Sequence, residues 1–350
     1  MKRRRLLALF GSICLASILV ALPFLAACAE APAPAPAPAP APKPAPAPKP
    51  EPIVLKAVGF LPERHEVYWG WRTLKEMVNA KGKGELTLEW AGGPEAIPSF
   101  DQPEAVRAGV VDMYVSTTSY WEGVMPESAA HHLSRITAAE ERESGFYDYM
   151  VGAFKKHNVF YLGRGREFTP FQMFTTKPID KTSKFYGRRF RMVAMYAPFY
   201  KALGIVGVTM PMGDAYTALE RGLIEGVTIP RSSYLSWKWY EIAKYKIGPS
   251  ILCHNLVILI NLEKWNALPK HLQDILTDTM IEAMPAIRAF NVEAFVENER
   301  KIAEVGTTTV EFSPDDAKYF IETVYDSSWK VMGEKVGAEE VAKIRKTVEK

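Results

Sequence analysis

The stretch 186–230, YGRRFRMVAMYAPFYKALGIVGVTMPMGDAYTALERGLIEGVTIP, constrains the fold more than any other part of the chain. It opens on a Gly-led basic strand in which Arg189, Arg191 and Val193 share one face of a period-two pattern, while Phe190 and Met192 take the other. A helix follows from Pro198, where a first turn tolerates proline, and ends at Gly204, where a left-handed cap is cheap for glycine. After a strand at 206–209, Asp214 is placed to cap a second helix, which ends at Gly222 and leads into a strand at 224–229. Consecutive strand–helix units predict a small parallel sheet. Ligands of such sheets sit beyond the carboxyl ends of the strands, so Arg191, near the end of its strand, is the residue to explain.

Residues 1–52 contribute no core. Lys2, Arg3, Arg4 and Arg5 form a positive n-region before the apolar run 6–25, which reads as a secretory signal. A run of about 20 apolar residues could instead cross a bilayer as an uncleaved anchor. The small pair Ala26-Ala27 before Cys28 resembles a bacterial lipobox and favours a signal over 1–27, with a lipid attached at Cys28. Within 28–52, the run APAPAPAPAPAPKPAPAPKPEP places Pro at every second position, which favours an extended polyproline II tether. At about 3 Å per residue it would hold a domain up to roughly 70 Å from a membrane.

The formal charge of +3 falls to −1 without the four signal cations, so no global basic field points to nucleic acid. Of the three cysteines, Cys14 lies in the signal and Cys28 at the lipobox. That leaves Cys253 alone in the folded part, with no partner for an intradomain disulfide. Its apolar setting, ILCHNLVILI, suits a buried structural thiol better than a nucleophile.

The remainder, 53–350, is long enough for two lobes. The pattern predicts a strand at 53–60, a helix at 65–80, a strand at 85–90, a Gly/Pro-rich loop, a short helix at 104–108 and a strand at 110–116. A helix at 136–157 and a strand at 159–162 follow, and the segment 163–178 then crosses toward the basic strand. Beyond Pro230 the expectations are an aromatic helix at 232–245, one long apolar strand at 247–260 and a helical region at 269–305 in which Pro285 could place a kink. Helices at 314–335 and from 338 onward close the chain.

Arginine suits a carboxylate because its planar fork gives paired, charge-assisted hydrogen bonds. Arg191 is therefore either a ligand clamp or a partner in an ordinary ion pair, and Arg164, Arg166 and Arg231 carry the same ambiguity. Arg188 and Arg189 read as solvated. The aromatic residues Phe171, Tyr196, Phe199, Tyr234 and Trp237 could line a pocket, although each taken singly fits core packing. The adjacent His131 and His132 point apart in most backbones and make a poor metal pair. No zincin helix, GxSxG elbow, P-loop or complete GxGxxG is present, so an enzyme reading has nothing specific to stand on.

Three blocks resemble the solute-binding proteins of tripartite ATP-independent periplasmic (TRAP) transporters. They are GRRFRMV (187–193), KALGIVGVTMPMGDAYTALERGLIEG (201–226), and the pair YEIAKY (240–245) with INLEKWNALPKHLQDIL (260–276). GGPEAIP with EAVRAGVVDM matches more loosely. The resemblance implies an α/β, two-lobed, periplasmic-binding-protein-like fold with a long helix crossing both lobes. The expected lobes are 53–176 plus part of 254–300, and 177–253 plus the C-terminal helices. It also implies a receptor, not an enzyme, that needs no metal or cofactor, with Arg191 at the family's signature arginine. Such a receptor closes on a small carboxylate and hands it to membrane subunits of the transporter from the periplasm or cell surface. An ABC-importer or sensor binding protein and a lipoprotein hydrolase are the alternatives. Sialic-acid members carry a second arginine and an asparagine at positions that fall here at Phe171 and Ile229. Losing those polar contacts suggests a monocarboxylate with an apolar or aromatic body, held by Arg191 and Arg166 against Phe171, Tyr196, Ile229 and Trp237.

Overall fold

The apolar and glycine-punctuated segments fold into two mixed sheets in a computed structural model that describes residues 51–349. The expected signal, the expected lipid attachment at Cys28 and nearly all of the expected tether lie outside the described residues. The strands are β1 (Ile53–Val58), β2 (Leu86–Gly92), β3 (Met113–Ser116), β4 (Val159–Arg166), β5 (Pro170–Thr175), β6 (Arg189–Met192), β7 (Val206–Thr209), β8 (Gly226–Pro230), β9 (Tyr245–Cys253), β10 (Leu256–Asn261) and β11 (Thr308–Val310). The first sheet runs β2-β1-β3-β10-β4 and the second β11-β9-β5-β8-β6-β7. Within the second, β6 pairs in parallel with both β7 and β8, which is the small parallel sheet that 186–230 predicts. Its helices are short, Ala197–Ala202 and Ala215–Glu220, and Gly204 has φ 71° as a left-handed cap requires. Asp214 precedes the second helix, but its side chain makes no capping bond.

The apolar run expected as one strand over 247–260 is divided between the sheets. β9 pairs with β5 in the second sheet and β10 with β3 and β4 in the first, the turn between them consisting of His254 and Asn255. Because β5 belongs to the second sheet, the chain crosses between lobes at 167–169 and not near 176. Arg164 and Arg166 sit on β4 instead of in a crossing loop. The glycines between them disguise the strand: Gly163 has φ 154°, and helix Trp69–Gly82 packs so closely that a Cβ on Gly70 would meet the Gly165 carbonyl at 2.1 Å.

The helix expected over 136–157 is two, Ala138–Glu143 and Phe146–Lys155, separated at Gly145 with φ 84°. The aromatic helix after β8 is short, Arg231–Ser236, and ends ahead of Lys238 at φ 55°. The long helix, by contrast, is continuous over Lys270–Glu304. Pro285 lies on its exposed face, so the carbonyl its ring leaves unbonded can meet water. The buried face of this helix, including Leu272, Leu276, Met280 and Ile287, packs on helix Trp69–Gly82, β4 and helix Arg231–Ser236, and so touches both lobes. Helix Pro314–Val336 packs on β9 and Ala197–Ala202 of the second lobe, whereas Ala338–Val348 packs on Phe146–Lys155 of the first. The C-terminal helices therefore brace both lobes rather than completing one.

Candidate functional site

The parallel strands of both sheets point their carboxyl ends at one cleft, which leaves about 30 Å³ of free space. Phe60 follows β1, and Thr117, Ser119 and Tyr120 follow β3. Arg191 and Val193 come from the end of β6, Met212 follows β7, and Pro230 and Ser233 come from the end of β8 and the helix after it. Phe171 on β5 and His254 in the turn between β9 and β10 complete the wall.

Arg191 is buried with 2% exposure, yet no carboxylate among the described residues pairs with its guanidinium, and its Nε has no hydrogen-bond partner. The strand holding it is fixed from behind: the Tyr200 hydroxyl donates to the Arg191 carbonyl at 3.0 Å and lies 2.8 Å from Thr228 Oγ1. Two phenols flank the guanidinium. Burial raises the pKa of Tyr120 and Tyr196, and the positive charge of Arg191 opposes that rise. Such a cation, dry and without a counter-charge, is costly unless an anion arrives to meet it.

Each of the other buried arginines, unlike Arg191, faces a carboxylate of the protein. Arg164 forms an ion pair with Glu141, whose second oxygen accepts from the Tyr161 hydroxyl at 2.6 Å. Arg166 donates to Thr169 Oγ1 at 3.1 Å and Ser232 Oγ at 3.2 Å, with Glu66 at 3.8 Å. Arg231 pairs with Glu299 and donates to Ser250 Oγ at 2.8 Å. Arg188 is half-buried against Glu225, while Arg189 is exposed.

His254 is held neutral, its pKa pushed well below the usual range by burial and then by Arg166, His132 and His65. Its Nδ1 is buried without a partner, and its ring meets Phe171 edge-on at 5.3 Å. Ser119 lies 3.2 Å from His132 Nε2, an arrangement a hydrolase would need for activating a nucleophile. That nitrogen is closer to Thr118 Oγ1, at 2.9 Å, and Ser119 donates to Met195 Sδ at 2.9 Å. Ser119 Oγ also lies 2.9 Å from Thr117 Oγ1, so the hydroxyl is shared among several partners and not dedicated to the imidazole. One fixed cation, a neutral imidazole, three aliphatic hydroxyls, two phenols and apolar walls equip this cleft to recognise a small anion.

Of the site residues expected from sequence, Arg191, Phe171 and Tyr196 meet in the cleft. Ile229 does not. It pairs with Gln172 while Pro230 pairs with Phe171, so the neighbouring residue faces the cleft and Ile229 points into the core with Trp239 and Tyr234. Trp237 lies outside the cleft, beside a wider opening of about 520 Å³ lined by His65 and Ser236. Arg166 is absent from the cleft wall as well; it faces a separate space with Thr169 and Arg231. Cys253 is half-buried, and desolvation raises its thiol pKa. The missed residues Thr117, Ser119 and Tyr120 follow β3 directly, so the strand-end rule that selects Arg191 also points to them. His254 carried no signal, because its turn lay hidden inside one apolar run.

Comparison with known proteins agrees with this architecture. A family model for bacterial extracellular solute-binding proteins, family 7 (DctP), matches residues 58–335. A TRAP periplasmic solute-binding protein of Desulfovibrio salexigens with bound orotic acid has a similar fold, with TM-score 0.76 and 20% identity over 85% of this chain and 97% of that one. A monocarboxylate 2-oxoacid-binding periplasmic protein of Nostoc sp. is 25% identical over 61% of this chain and 60% of its own length. A C4-dicarboxylate-binding periplasmic protein of Rhodobacter capsulatus is 24% identical over 49% of this chain and 53% of its own. The chain belongs to family 7 of the bacterial extracellular solute-binding proteins, as the blocks around Arg191 led one to expect.

Proposed function

We propose that this protein is an extracytoplasmic receptor that captures a short monocarboxylate through Arg191 and delivers it to the membrane subunits of a TRAP-type transporter, tethered by a lipid on Cys28. The observation that carries the proposal is a buried arginine with no acidic partner, placed where the strand ends of both sheets converge. A planar guanidinium can take both oxygens of one carboxylate.

The cleft favours one charge over two. Arg191 is the one cation among its wall residues, so the second carboxylate of a diacid would be buried unpaired. The wall also favours a short ligand, since 30 Å³ is room for about two waters before the lobes part. Phe60, Phe171, Val193, Met212 and Pro230 suit a small apolar body, and Ser119, Ser233 and His254 suit an oxo or hydroxyl oxygen beside the carboxylate. The printed function of the Nostoc relative, binding monocarboxylate 2-oxoacids, is consistent with this chemistry.

Titration calorimetry on the wild-type protein tests it with pyruvate, 2-oxobutyrate and lactate against succinate, benzoate, sialic acid and pyruvamide. The proposal expects tight binding of the short 2-oxo or 2-hydroxy monocarboxylates and none of the neutral amide. Preferential binding of succinate or sialic acid would overturn the ligand assignment.

A further inference from the structure

Arg166 and Arg231, excluded from the ligand cleft, line a second space of about 10 Å³ at the seam where β4, the start of β5, the helix after β8 and the long helix meet. We propose that this seam binds a small monovalent anion of the chloride class between the two guanidinium groups. Both arginines are more than nine-tenths buried, at 3% and 7% exposure, and each leaves its Nη1 buried without a hydrogen-bond partner. Thr169, Ser232, Asn291 and Asn298 supply the rest of the polar lining.

The charges nearby do not balance without such an ion. The hydrogen bonds of Arg166 go to the neutral hydroxyls of Thr169 and Ser232, and its nearest carboxylate, Glu66, stands at 3.8 Å, too far for a hydrogen bond. Glu299, the partner of Arg231, also serves Lys246 at 2.8 Å. Three cations therefore share Glu299 and the distant Glu66, leaving one positive charge in a dry setting. Glu167, the remaining acid at the seam, faces Arg288 at 3.5 Å and donates nothing to this balance. The space is of single-water size, which admits a halide and excludes a carboxylate, phosphate or sulfate. The anion would join segments of both lobes to the long helix at the point where the chain crosses between them.

Bromide substitution is the direct test. Crystals of the wild-type protein grown or soaked in bromide are expected to show an anomalous peak in contact with the Arg166 and Arg231 guanidiniums. Its absence there would overturn the proposal and leave water as the occupant. In solution, without substrate and at constant ionic strength, replacing methanesulfonate by chloride is expected to raise Tm saturably by about 2–4 °C. That shift should persist in Arg191→Gln and vanish in Arg231→Gln and Arg166→Gln. A linear shift shared by both salts, or an unchanged response in both seam variants, would equally overturn it. If the variants do not fold, the bromide experiment on the wild-type protein decides alone.

Discussion

The ligand cleft and the core behind it both bury arginine, and they treat it in opposite ways. In the core, Arg164 lies against Glu141, which Tyr161 also holds, so its charge is answered within the protein. In the cleft, Arg191 is as deeply buried but meets phenols, hydroxyls and aromatic walls, with no acid to answer it. Burial alone therefore does not mark a functional arginine. On the proposed reading a missing counter-charge at the carboxyl ends of strands does, because folding leaves there a cost that an anionic ligand would remove.

Removing the paired arginine should have the largest effect on stability. Arg164→Ala strands the Glu141 carboxylate in the core and is expected to cost about 3–5 kcal/mol in urea denaturation. A loss below about 1 kcal/mol would mean that the pair is structurally idle. The next effect concerns an acid without a partner. Glu122, at 8% exposure, has no hydrogen bond to its Oε1, and burial raises its pKa to about 8 despite the opposing charge of Lys335. Between the ordinary value of 4.5 and about 8 the folded state thus binds more protons than the unfolded state, so stability falls as pH rises through that window. Glu122→Gln should flatten this slope and stabilise the protein at pH 8 by about 1–3 kcal/mol, measured by denaturation across pH.

Smaller effects should separate the cleft wall from its neighbours. Ser119→Ala is expected to weaken ligand binding by about 0.5–1.5 kcal/mol, seen in titration calorimetry. Trp237→Ala should leave affinity within about twofold, since less than 0.5 kcal/mol is the usual effect of a side chain outside the contact. Ile229→Val should cost about 0.5–1.5 kcal/mol of stability without altering affinity. A large affinity loss in either of these two variants would restore the cleft wall inferred from sequence.

The difference between these regions also explains how much the sequence revealed. The parallel strands around Arg191 were legible because glycine caps and period-two faces mark each element locally. The long helix was legible because its apolar spacing persists past Pro285. Pairing partners were not legible, because nothing local says which acid reaches which arginine; Glu141 meets Arg164 across separate elements. The break at His254 and Asn255 was hidden by side chains that are apolar on both flanks, so no change of period announces it. Ile229 is different: resemblance to sialic-acid members, not the strand pattern, singles it out, and the pairing of Ile229 with Gln172 puts its side chain on the face away from the cleft.

The central claim is that Arg191 exists for the ligand and not for the fold. Titration calorimetry of a bound 2-oxo monocarboxylate against Arg191→Gln, alongside urea denaturation of the same variant without ligand, tests it most directly. The predicted result is an affinity at least about 100-fold weaker, as expected for a lost charge-assisted clamp, with ligand-free stability unchanged or slightly higher. Wild-type affinity in the variant, or a stability loss comparable to that of Arg164→Ala, would contradict it.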